Sequence, residues 1–122
     1  MGIGSSSTAA HTEAKMKRGT IVWINLEDTA PPELGKTRPG ILVSHTEQNH
    51  ILPTVVIVPL SSRAPELWPL RLRLEIPKLK SSYAITPGIR QVSRARLLDT
   101  IGMASSEFMK VLDGALAAYL DL

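Results

Sequence analysis

Gly35-Lys36-Thr37-Arg38-Pro39-Gly40-Ile41-Leu42-Val43-Ser44 carries a cationic side chain from a turn into a β-branched apolar run. Glycine permits backbone angles that other residues avoid, and Pro39 fixes its own φ while biasing Arg38 towards extended geometry. Ile41, Leu42 and Val43 suit a buried strand, which the pattern starts near Gly40 and ends near His45. Arg38 then stands at the mouth of that strand between stiff neighbours. A guanidinium there stays charged and offers a planar fork of donors, which suits a phosphate. It also suits a surface pair with a carboxylate such as Glu33, and the local residues leave both open.

On the N-terminal side, Thr20-Ile21-Val22-Trp23-Ile24-Asn25-Leu26 is rich in β-branched and aromatic residues and predicts a strand. Its faces are both largely apolar until Asn25, which places Trp23 in the core. Glu27 to Thr37 is a loop, because Pro31-Pro32 and Gly35 break any helix. Residues 1–16 read as a disordered leader or cloning remnant, with the domain over 17–122.

On the C-terminal side, Thr46 to His50 is a connection with room for a helical turn. Thr54 to Pro59 is the most hydrophobic strand and should be central, with pairing expected to stop near Pro59, which has no N–H to donate. Ser61, Ser62 and Arg63 leave the sheet as two hydroxyls and a cation. Leu70, Leu72, Leu74 and Ile76 then alternate with Arg71, Arg73 and Glu75, so the arginines share one strand face. Lys78 and Lys80 fall in a basic turn. Shorter strands follow at Tyr83–Ile85, Ile89–Val92 and Thr100–Met103, with Ser93 capping a short helix over 94–98. Ser105 or Ser106 caps a helix from about Glu107 to Leu120, whose apolar stripe is Phe108, Leu112, Ala115, Leu116 and Tyr119. The expected fold is mainly β: a small SH3-like barrel of five to seven strands with a short helix and a C-terminal α-helix.

Composition narrows the function. Residues 15–96 hold 13 of the 14 Lys/Arg but 6 of the 11 Asp/Glu, a net +7, whereas residues 97–122 carry −3. A basic body of this kind attracts an anionic polymer or an acidic protein segment. There is no cysteine, so disulfides and thiolate metal sites play no part. No apolar run reaches the 18 or more residues of a membrane span, and the expectation is a cytoplasmic protein without a membrane partner. His45 and His50 have no carboxylate cluster beside them, and P-loop, GxGxxG and GxSxG motifs are absent. What remains is arginine plus hydroxyl, an inventory that fits phosphate binding and phosphoryl chemistry alike.

Four segments, taken in order, resemble the MazF/PemK family of toxin endoribonucleases within the CcdB/PemK-like superfamily. Lys17-Arg18-Gly19-Thr20-Ile21-Val22-Trp23 resembles the family's opening strand, and Gly35 to Val43 resembles its GxxRPxLV segment. Val58-Pro59-Leu60-Ser61-Ser62 is similar to its strand ending in proline and hydroxyls, and Ile89 to Leu97 to its QIRTIDKxRL segment. The resemblance implies a homodimer that cleaves single-stranded RNA at short sequences without metal or other cofactor. It also implies inhibition by a cognate antitoxin with an acidic, disordered segment.

By position, Arg38 and Ser61 match the family's catalytic arginine and its catalytic threonine or serine. Glu33 matches a loop glutamate that shapes the RNA site, and Arg90 matches the arginine of the QIR segment. Lys36, Thr37, Ser62 and Arg63 flank the catalytic pair and are expected to contact RNA. Trp68, between Pro65 and Pro69 in a loop, is the tryptophan expected to stack on a base. Two departures stand out: Pro32-Glu33-Leu34-Gly35 replaces the usual SEQxG, and Gly88 replaces the glutamine before the Ile-Arg pair. Two other classes fit the same fold: a non-catalytic barrel that holds RNA or a peptide, and a CcdB-like gyrase poison. The latter uses a C-terminal tryptophan, which Ala118-Tyr119-Leu120-Asp121-Leu122 lacks.

Overall fold

Strand β3 (Thr54–Ser61) pairs with three other strands and organises the rest. The computed structural model describes residues 16–27, 36–77 and 79–122. Within them the chain runs β1 (Thr20–Leu26), β2 (Lys36–Leu42), a short helix α1 (Thr46–Ile51), β3, β4 (Arg71–Leu74) and β5 (Ser82–Ile85). It continues through β6 (Arg90–Ser93), β7 (Leu97–Met103) and the long helix α2 (Ser106–Leu120), with 3-10 turns at Thr86–Gly88 and Arg94–Arg96. The strands are antiparallel in the order β4-β5-β3-β2-β1-β7, with β6 also laid against β3. The sheet does not close, so the expected mainly β, seven-strand fold is present as an open barrel.

The run-on hydrophobicity of β1, β2 and β3 has a simple cause: this part of the sheet is buried on both faces. Ile21, Ile41 and Val58 stand opposite one another and face α2, where Met109, Leu112, Ala115 and Leu116 complete one core cluster. Val22, Ile24, Leu42 and Ile57 point the other way, into a second cluster with Val92 and Leu97. Met16, the last residue of the expected leader, is buried in this second cluster. The helical stripe needs one correction. Met109 joins the buried stripe, Phe108 packs against it half-buried, and Tyr119 is 40% exposed. Ser105 is the cap, its Oγ accepting from the Phe108 N–H at 3.0 Å.

Strand boundaries also differ from expectation, and β7 begins at Leu97 instead of Thr100, so the turn capped by Ser93 shortens to Arg94–Arg96. Strand β2 lies earlier than Gly40–His45, with Arg38 opposite Ile24 and Pro39 opposite Trp23. It can include Pro39 because β2 pairs with β3 only over Gly40–Leu42, so at Pro39 it has a sheet partner on one side only. Strand β3 likewise runs through Pro59 to Ser61. On its outer edge it pairs with β6 up to Ile57 and with β5 from Leu60, and Pro59 falls in the gap between the two partners. That gap is filled by the Thr86–Gly88 turn. The Thr86 hydroxyl, fully buried, donates to the Pro69 carbonyl at 2.7 Å, and the Thr86 N–H donates to the Leu70 carbonyl at 3.1 Å.

Asn49 is the buried polar residue of α1. Its Nδ2 donates to the Met16 carbonyl at 2.7 Å and the Ser44 carbonyl at 3.0 Å, while its Oδ1 accepts from the Ser44 hydroxyl. Arg18 links α1 to α2, its backbone N–H donating to Thr46 Oγ1 at 3.0 Å and its Nε to the Val43 carbonyl at 2.8 Å, while its guanidinium pairs with Asp113 of α2. No helix among the described residues is long and apolar enough to cross a membrane.

Candidate functional site

Side-chain alternation brings distant basic residues to one sheet face. Arg38 is in register with Ile24, Ser61 with Tyr83, Arg90 with Ile57, and Arg71 with Ile85. Because facing residues in a ladder share a side of the sheet, Arg38, Pro59, Ser61, Arg71 and Arg90 all project to the same side. Pairing of β2 with β3 ends at Gly40 and Pro59, two residues before Arg38 and Ser61. Two clefts flank this split, and Ser61 lines both.

The smaller cleft, about 280 Å³, is lined by Arg38, Ser61, Ser62, Thr37, Trp23 and the Leu79–Ser82 stretch. It therefore joins the two residues expected to carry catalysis. Ser61 Oγ accepts the Arg63 backbone N–H at 3.1 Å, a local turn that holds the hydroxyl while leaving its own proton to donate. The larger cleft, about 410 Å³, is lined by Ser61, Arg63, Arg71, Arg90 and Gly88, with Pro59 as its floor. Among the described residues no Asp or Glu lines either cleft.

The structure brings most of the expected site residues to the two clefts and leaves the others elsewhere or outside the described residues. Thr37, Arg38, Ser61, Ser62, Arg63 and Arg90 line the two clefts, and Lys36, exposed at the start of β2, adopts a left-handed φ of 64°. Glu33, Gly35 and Lys78 lie outside the described residues. Trp68 lines neither cleft; it is 55% exposed, and a Cβ built at Gly114 would lie 3.6 Å from its Cη2. Trp23, by contrast, is only half-buried and lines the Arg38 cleft. Trp23 shares a side of β1 with Asn25, which is also half-buried. Arg71, which the alternation had placed only on a strand face with Arg73, lines the larger cleft. Arg73, on the same face of the same strand, is engaged instead with Glu75 at 2.7 Å and Ser81 at 3.2 Å. Among the described residues no group of three or more His, Asp or Glu gathers around a common point.

The match to known proteins bears directly on this arrangement. Residues 17–120 match the family model described as the PemK-like, MazF-like toxin of type II toxin–antitoxin systems. The chain belongs to this PemK/MazF toxin family. Solved structures agree on the fold. MazF from Deinococcus radiodurans superposes with a TM-score of 0.76 at 23% identity, over 87% of this chain and 96% of that one. An endoribonuclease from a mycobacterial species, solved in complex with its cognate antitoxin, gives 0.73 at 22% identity over 87% and 95%. The MazE–MazF complex of D. radiodurans gives 0.70 at 21%, again over 87% and 95%. The PemK/MazF segments quoted from the sequence thus fall on β1, β2, the end of β3 and β6–β7, around the two clefts.

Proposed function

We propose that this protein is the toxin of a type II toxin–antitoxin pair, acting as a metal-independent, sequence-specific endoribonuclease on single-stranded RNA such as mRNA. The observation that carries the reading is Arg38 and Ser61 on one cleft, in a chain whose family is the PemK/MazF toxins. The 2′-hydroxyl beside the scissile phosphate is the nucleophile. Its oxygen bonds to phosphorus and gives up its proton, the bond to the 5′-oxygen breaks, and that oxygen gains a proton. The products are a 2′,3′-cyclic phosphate and a 5′-hydroxyl. Because the nucleophile belongs to the substrate, no metal-activated water is required.

Negative charge builds on the non-bridging oxygens as phosphorus becomes pentacoordinate. Arg38 meets that charge with fixed donors, a contribution that in comparable sites is about 3–4 kcal/mol. Ser61, held by the Arg63 N–H, donates its hydroxyl proton to the same oxygens. Lys36, Thr37, Ser62, Arg63 and Arg90 are assigned to RNA binding, and Glu33 with them by its place in the sequence. An antitoxin with an acidic segment would compete for the same cationic clefts, as the complexes of the structural relatives with their antitoxins suggest. The protein is assigned to the cytoplasm as a homodimer.

Mixed-sequence RNA incubated with the protein in excess chelator tests the reading. Cyclic-phosphate ends that vanish with Arg38→Ala support it. Intact RNA with folded protein at high concentration would reduce the site to a binding module.

A further inference from the structure

Among the described residues, Arg71 is the cleft-lining arginine that the expected site does not include. Its Nε donates to the Pro65 carbonyl at 2.9 Å, which sets the plane of the guanidinium and leaves the terminal nitrogens for the cleft. The Pro65 segment is itself anchored, since Leu67 exchanges backbone hydrogen bonds with Arg71 at 2.9 and 2.7 Å. Arg63 and Arg90 line the same cleft, and no described carboxylate does. Three cations thus line one cleft of about 410 Å³, an arrangement that attracts an anion. Arg73 provides the contrast: two residues along, on the same face, it is neutralised by Glu75. The chain has a carboxylate partner for Arg73 and none, among the described residues, at the Arg71 cleft.

Ser61 joins the two clefts, so a phosphate bound between Arg38 and Ser61 has the larger cleft beside it. We propose that Arg71, with Arg63 and Arg90, forms a second phosphate subsite that holds the nucleotide linkage next to the scissile one. This rests on the RNA reading above and adds to it a substrate requirement: at least two consecutive phosphates. Arg71 is a positioning residue, acting on how the strand is seated and not on the reacting atoms. Its planar fork suits a phosphate better than a lysine ammonium does, because two parallel hydrogen bonds form at once.

The test uses the full chain and an RNA oligonucleotide cut at one site, with each neighbouring phosphate replaced in turn by an uncharged methylphosphonate. For the wild type, one neighbouring replacement is expected to raise KM about tenfold with kcat retained, as expected for lost uniform binding. Arg71→Gln should raise KM by a similar factor on the unmodified oligonucleotide and be indifferent to that same replacement. Binding measured in parallel should lose about 0.7 from its log–log salt slope in Arg71→Gln, recovered in Arg71→Lys. Arg73→Gln should change neither. A wild-type enzyme that cleaves normally while Arg71→Gln keeps its KM and its sensitivity to every replacement overturns the subsite alone. If RNA is bound but uncut, the salt slope still decides the subsite, and the cleavage reading fails separately. No RNA binding at all removes both.

Discussion

A Cβ built on Gly88 would lie 2.6 Å from Cγ of Pro59 and 3.1 Å from its Cδ. The glycine and the proline therefore meet where β3 changes partner from β6 to β5, and the turn over that gap can approach only without a side chain. Glycine at position 88 therefore leaves Pro59 the space that a Cβ would take. Gly88→Ala is expected to destabilise by about 1–3 kcal/mol, the usual cost of overpacking a rigid contact. Chemical denaturation measures it, and unchanged stability would show that the turn moves freely. Because Gly88 also lines the Arg71 cleft, RNA affinity should fall in the same variant.

Arg38 and Ser61 differ in what they supply to the proposed reaction. Arg38→Ala removes a full charge from beside the phosphate, and Ser61→Ala removes one neutral donor. Single-turnover cleavage should fall at least about a hundredfold in the first and less in the second. The reverse order would contradict the assigned roles.

Trp23, not Trp68, shares a cleft with Arg38. Stacking on an aromatic ring contributes about 1–3 kcal/mol per base, so Trp23→Ala should weaken RNA binding by roughly tenfold or more. Trp68→Ala should leave binding within about twofold. Fluorescence polarisation with a labelled oligonucleotide compares the two, and a larger loss in Trp68→Ala would assign the stacking role to the loop.

Gly114 sits on the exposed side of α2, where a Cβ would meet only Trp68 Cη2 at an ordinary 3.6 Å. Gly114→Ala should therefore stabilise the protein by about 0.5–1 kcal/mol through helix propensity and the unfolded chain. A lower melting temperature would indicate a close approach to that face in the assembled protein.

Asn49 is 1% exposed and joins α1 to Met16 and Ser44. Removing its amide in Asn49→Ala strands the Met16 carbonyl without its partner, and the expected loss is about 1–3 kcal/mol. Thermal melting reads this directly; RNA cleavage at a temperature where the variant remains folded should be near the wild-type rate.

The order of elements, the mainly β class and both ends of β1 followed from residue pattern alone, because β-branched runs and breakers act locally. A serine cap at 105 or 106 and the alternation of Leu72 and Leu74 were available for the same reason, and the structure selects Ser105. Arg38 and Ser61 were also visible in the sequence, by their place in segments that resemble a known family. The limits of β2 and β3 were not, since a proline's effect depends on which strand edge has a partner, and partners come from elsewhere in the chain. Nor could alternation alone separate Arg71 from Arg73, which share a strand face, although Arg73 pairs with Glu75 while Arg71 reaches the Pro65 carbonyl and the cleft. Trp23 followed the same rule: its strand was evident, but its exposure was set by where β2 and β3 part beyond Gly40 and Pro59. Elements and chemical inventory depend on near neighbours, and so they are legible along the chain. Which cations share a cleft depends on register between strands far apart in the chain, and that belongs to the fold.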